Sequence, residues 1–215
     1  MLIVDQLFLI GIDEKSKKFI LKWDDYLLYG ALIIDLILKD KISISKKDLK
    51  IEIINYESTN ELILDKMLDF IKNNQEDKTL IELCIKFMKG SNKSEFIEYL
   101  ETRFGNSELI KYLGKKMLKR RYQLIKPAVR EGILEEIIDV LFENSESTKE
   151  LTFLLSLLNI ESNYLKIIGK KSKRIAETRI RKIIKNEYIG NAIQDYIEEL
   201  KEQSEEFIDD VLYND

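Results

Sequence analysis

Histidine is absent from this 215-residue chain, and cysteine and proline occur once each. Without imidazole there is no Ser-His-Asp triad, no papain-like Cys-His pair and no histidine-containing zinc or iron site. The lone Cys84 excludes an internal disulfide and an all-cysteine zinc cluster, and it suits a reducing compartment. One proline and eight glycines leave little punctuation, which favours long helices over an all-β fold. The sequence contains no G-x-x-x-x-G-K-[ST], G-x-G-x-x-G or G-x-S-x-G. Its adjacent carboxylates (Asp24/Asp25, Glu135/Glu136, Asp209/Asp210) point to different helix faces and read as caps and solvated surface, not as acid/base pairs. No enzyme activity, cofactor or metal is expected. No N-terminal run has a signal-peptide layout. The longest nearly apolar stretch, residues 26–38, is short of the ~20 residues needed to span a bilayer and contains Asp35. A soluble, cytoplasmic protein with at most peripheral membrane contact is the expectation.

What is present is enough apolar side chain, 45% of residues, for a sizeable core. With no linker or repeat, one domain over residues 1–215 is expected, mostly α. Residues 2–12 are apolar and a turn follows at Gly11. Asp24 and Asp25 cap a segment, residues 26–38, that is apolar all round and therefore predicts a buried central helix. Residues 42–44 and 49–53 alternate at period two and predict a small hairpin. Helical spacing recurs over residues 61–73, 79–89 and 93–104. A second hairpin is predicted over residues 109–124, around Gly114-Lys-Lys116. Pro127 opens a helix through Phe142, at the first-turn position where proline is tolerated. Residues 151–158, 175–184 and 189–212 close the chain as helices. Cys84, among Leu80, Leu83, Ile85 and Phe87, reads as a buried structural thiol.

A net charge of -4 hides strong segregation. Residues 111–126 carry seven bases (Lys111, Lys115, Lys116, Lys119, Arg120, Arg121, Lys126) and no acid. Residues 166–185 carry nine bases against Glu177 alone, and residues 195–215 hold nine acids against Lys201. For the second basic block a solvated helix face and an anion-binding surface both stay open. In the first block the bases sit among Tyr112, Leu113, Met117 and Leu118. A hairpin tip that is both cationic and apolar suits an anionic membrane, where each Lys or Arg near the lipid contributes ~1 kcal/mol. A nucleic acid would use the same charges without needing the apolar tip. No helix carries the Arg/Asn/Gln row that base readout wants, so no nucleic-acid partner is expected.

Several segments together resemble the Golgi phosphoprotein 3 family. They are Leu7-Phe-Leu-Ile-Gly-Ile-Asp-Glu14, Trp23-Asp-Asp-Tyr-Leu-Leu-Tyr-Gly-Ala-Leu-Ile-Ile-Asp35 through Ile42, and Thr59-Asn-Glu-Leu-Ile-Leu-Asp-Lys-Met-Leu68. Tyr122-Gln-Leu-Ile-Lys-Pro-Ala-Val129, Leu151-Thr-Phe-Leu-Leu-Ser-Leu-Leu158, residues 174–184 and Gly190-Asn-Ala-Ile193 continue it in order. Asn60 stands where glycine is usual, and Gln123 where the family has proline. The resemblance implies a mostly helical single domain with a β-hairpin. It further implies binding of phosphatidylinositol 4-phosphate on the cytosolic face of Golgi membranes and an adaptor role for protein tails. It places the lipid headgroup on Trp23 and Lys93. Leu32 and Gly90 stand where the family has basic residues, so headgroup selectivity is expected to be reduced. The hairpin residues Tyr112, Leu113, Lys115, Lys116, Met117, Leu118, Lys119 and Arg120 are then expected to make the membrane contact. A helical adaptor for protein tails or for itself, with incidental lipid affinity, is the alternative.

Overall fold

The computed structural model describes residues 1–21, 24–45, 50–74, 79–89, 92–116, 119–143, 145–185 and 188. Trp23, Gly90, Met117, Leu118 and the helix expected over residues 189–212 lie outside the described residues. So do the side chains of Asp24, Asp25, Lys93 and Lys119.

Helix α2 (Asp24–Leu38) is the hub. Its sequence has no polar face to show to water, so packing must enclose it. Leu27, Leu28, Tyr29, Ala31, Leu32, Ile33, Ile34, Leu36 and Ile37 are all buried. Helix α1 (Ile3–Ile10) lies against it, as do α3 (Leu62–Lys72), α4 (Leu80–Lys89) and α7 (Lys149–Asn159). Helices α5 (Asn92–Asn106), α6 (Pro127–Phe142), α8 (Tyr164–Ile168) and α9 (Lys173–Ile184) complete the helical shell. One hydrophobic cluster draws side chains from all nine of these helices. Strands β1 (Ile42–Ile44) and β2 (Ile51–Ile53) pair antiparallel, and so do β3 (Ile110–Lys116) and β4 (Lys119–Leu124). The fold is mostly α with two small hairpins, as the sequence predicts.

Local chemistry sets several boundaries. Thr148 caps α7 by accepting from the Leu151 N–H at 3.1 Å. Thr79 and Glu82 cap α4 reciprocally: the Glu82 carboxylate accepts from the Thr79 N–H at 2.7 Å, and the Thr79 hydroxyl accepts from the Glu82 N–H at 3.3 Å. Pro127 occupies the first turn of α6, where its missing N–H costs nothing. Gly11 is dictated by packing, because a Cβ there would fall 2.3 Å from the Phe19 ring.

The Thr59–Leu68 segment explains its own sequence. Asn60 has φ 60°, a left-handed conformation that asparagine tolerates and glycine adopts freely. Asp65 accepts from the Thr59 N–H at 2.7 Å, the Thr59 hydroxyl at 2.7 Å and the Ser58 hydroxyl at 2.6 Å. Desolvation works against its ionisation, but these hydrogen bonds together outweigh it and lower its pKa.

Two buried acids tie α1 to its neighbours. Asp35, 2% exposed on α2, accepts from the backbone N–H of Ile3 at 2.7 Å and of Val4 at 3.0 Å. It thus caps the first turn of α1 from another helix. In that same first turn, Asp5 pairs with Arg103 of α5 at 2.9 Å, and Arg103 also pairs with Glu61.

Candidate functional site

The β3–β4 hairpin carries the first basic block. Its base is closed by the Ile125 N–H donating to Leu109 O at 2.9 Å. The register pairs Ile110 with Leu124, Lys111 with Gln123 and Tyr112 with Tyr122. It then shifts, so that Lys115 faces Arg120 and Lys116 faces Lys119. Gly114, with φ 83°, sits in that irregularity and supplies the conformation other residues resist. Like charges directly opposite each other are unfavourable in a ladder. The tip therefore concentrates cationic charge at a local cost.

A third segment joins the hairpin. Lys18 bridges antiparallel to Arg121, and the Tyr122 N–H donates to Lys17 O at 2.8 Å. Period two then sorts the side chains. Ile110 and Tyr122 are buried and Leu124 half-buried on the face toward α5 and the core. Lys111, Leu113, Arg121, Gln123 and Lys18 fall on the opposite face, where Lys111 and Gln123 are exposed and Lys18 and Arg121 half-exposed. Leu113 remains 39% exposed and Tyr112 40%. The result is a sheet face of cations around one leucine.

Helix α5 fixes this sheet in place. Arg120, only 20% exposed, lies 2.6 Å from Glu101 and 3.9 Å from Glu98. The Tyr122 hydroxyl donates to Glu101 at 2.8 Å, and burial followed by that carboxylate pushes its pKa well above the usual value. Behind it Phe8 of α1 meets Tyr122 edge-on with centroids 5.2 Å apart, and stacks on Phe104 of α5 at 5.4 Å. Acids missing from residues 111–126 are thus supplied from outside the block, by Glu101 and Glu98 of α5 to Arg120 and by Glu108 to Lys126.

The structure brings Tyr112, Leu113, Lys115, Lys116 and Arg120 together on one hairpin, with the first four exposed. Leu32 is buried on α2 and lines a small apolar cavity with Val4, Leu28, Phe87, Phe96 and Leu100. No cationic side chain could sit there without a partner. Sequence reasoning missed Lys17 and Lys18, whose only advance signal is the run Lys15-Ser-Lys-Lys18. Among the described residues, no group of three or more Cys, Asp and Glu could hold a metal ion, and no helix is long and apolar enough to cross a membrane. Cys84 is buried, as expected of a structural thiol.

No curated protein matches the chain. The sequence profile of Golgi phosphoprotein 3 (GPP34), in contrast, matches residues 3–200, nearly the whole chain. A match of that extent, over a mostly helical fold with a basic hairpin after α5, places the chain in the Golgi phosphoprotein 3 (GPP34) family.

Proposed function

We propose that the chain acts as one unit over residues 1–215, a non-enzymatic peripheral adaptor that docks on anionic membrane through the solvent face of the β3–β4 sheet. Family membership supports the adaptor role and a setting on the cytosolic face of Golgi-type membranes. The observation that carries the lipid reading is the sheet face itself: Lys111, Arg121 and Lys18 surround Leu113, and at the tip Lys115 faces Arg120 and Lys116 faces Lys119. An anionic leaflet relieves the repulsion between those bases and takes up the exposed Leu113, while Tyr112, on the opposite face beside Tyr122, adds contact only from the flank of the hairpin. Each base near the lipid is worth ~1 kcal/mol, and shallow insertion adds ~0.8 kcal/mol per buried methylene. Met117 and Leu118, which follow Lys116 in the sequence, are the further apolar side chains this reading assigns to insertion. Arg120 acts differently, by holding the sheet on α5. Trp23 and Lys93 are the headgroup contacts the family suggests. With Leu32 inside the core, recognition of phosphatidylinositol 4-phosphate rests on charge more than on a closed pocket.

Flotation with three vesicle types tests this: neutral, generally anionic, and containing phosphatidylinositol 4-phosphate. The chain is expected to float with both anionic types and not with neutral ones. Preference for phosphatidylinositol 4-phosphate over other lipids at equal charge should be modest. Equal flotation with all three, or with none, would overturn the lipid reading and leave the protein-tail adaptor.

A further inference from the structure

The second cationic surface is the corner between α8 and α9. Gly169 turns the chain with φ 79°, residues 170–172 form one 3₁₀ turn, and α9 begins at Lys173. Helix α9 buries Ala176, Ile180 and Ile184 and turns Arg174, Ile175, Arg181 and Lys182 to solvent. Part of this charge is used inside the protein. Arg179 donates to Val140 O and to Ser145 O, both at 3.0 Å, and Arg181 pairs with Glu177 at 2.7 Å. Lys170, Lys173 and Arg174 are exposed and have no acidic partner among the described residues.

Ile175 stands among these three cations and is 62% exposed, whereas the other isoleucines of α9 are buried or half-buried. An isoleucine left in water forgoes most of the transfer free energy that burial provides. A helix that packs its apolar stripe fully elsewhere has no internal use for it.

The corner also adjoins the sheet. Lys166 of α8, four residues before Lys170, donates to the carbonyl of Ile20. Ile20 directly follows residues 17–19, the stretch that bridges to Arg121 through Lys18. The line Arg121, Lys18, Ile20, Lys166 therefore runs from the sheet edge to the corner.

We infer that Lys170, Lys173, Arg174 and Ile175 form a second point of contact with an anionic lipid surface, with Ile175 as the inserting side chain. The inference rests on the membrane reading of the hairpin and extends it. Two separated contacts fix the orientation of the protein on the bilayer, where a hairpin alone leaves it free to swivel.

The test labels the full chain with an environment-sensitive fluorophore at Ile175→Cys and, separately, at Leu113→Cys. Native Cys84 is fully buried and does not compete for label in the folded protein. The vesicles are phosphatidylcholine alone, and phosphatidylcholine with about one-third phosphatidylserine. Both labels are expected to shift to the blue and to become shielded from aqueous quencher on the anionic vesicles only. A Lys170→Gln, Lys173→Gln, Arg174→Gln variant should melt like the parent and bind those vesicles roughly tenfold or more weakly. If the label at 113 responds and the label at 175 does not, the corner is no contact and the hairpin reading stands. If neither responds, both readings fall. A triple variant that binds as tightly as the parent also overturns the inference.

Discussion

Glu101 of α5 holds Arg120 of β4 at 2.6 Å, and the same carboxylate accepts from the Tyr122 hydroxyl two residues further on. One acid thereby fixes both the position and the tilt of the basic hairpin. Glu101→Ala leaves Arg120 with only Glu98 at 3.9 Å and Tyr122 with no carboxylate, and should cost about 2 kcal/mol. Denaturant midpoints for Glu101→Gln, Arg120→Gln and the pair give the coupling directly. Zero coupling would show that the pair does not anchor the hairpin.

Charge on the solvent face should control membrane capture. Lys111→Gln, Lys116→Gln and Arg121→Gln together remove about 3 kcal/mol of attraction, roughly a hundredfold in affinity for anionic vesicles. Neutral vesicles serve as the control. Unchanged flotation of this variant would mean that these bases are ordinary solvated surface.

Stability should fall as pH rises toward neutrality. Desolvation raises Asp35 from the ordinary carboxylate value of 3.8 to about 7, against the opposing pull of the Val4 and Ile3 N–H groups. Asp5 is raised too, again chiefly by burial. The folded protein therefore holds a proton that the unfolded chain has released. The stabilisation is complete below pH 3.8 and is lost as pH climbs to about 7, levelling off above. Each kcal/mol corresponds to roughly 2–4 °C in Tm for a chain of this size. Melting at pH 5.5 and pH 8 should show the higher Tm at the lower pH. Asp35→Asn should flatten most of that difference.

Asn60 tests the loop before α3. Asn60→Gly should be neutral or slightly stabilising, because φ 60° suits glycine. Asn60→Val forces a β-branched residue into the left-handed region and should cost about 1–2 kcal/mol by chemical denaturation. Equal midpoints for the two variants would show that the loop relaxes to another conformation.

Elements governed by local rules were legible in the sequence. Pro127 marks the start of α6 to the residue, the unbroken apolar circumference of α2 marks the hub, period-two alternation marks the first hairpin, and the stretch around Gly114 marks the second. Relations between distant segments were not. Lys18 reaches Arg121 across about a hundred residues, and no local pattern announces a third strand. Arg120 looks like its neighbours Lys119 and Arg121, and only packing on α5 separates its role from theirs. A carboxylate inside an apolar helix must either find a partner or reach an edge, and Asp35 finds a partner. That the partner is the first turn of α1 follows from how the two helices dock, since the bonds go to backbone groups that carry no sequence signature.

The facing cations at the hairpin tip give ionic strength two opposed handles on one element. Added salt screens Lys115 from Arg120 across the register, so this end of the ladder pairs more readily. The same screening, over ~8 Å at physiological strength, shortens the reach of the tip toward a charged leaflet. Repulsion across this end of the ladder is strongest in dilute buffer, where attraction to an anionic surface is also longest-ranged. On the membrane reading proposed above, a charged leaflet does for the facing strand ends what salt does in solution, and tighter pairing of the ladder becomes part of the act of landing.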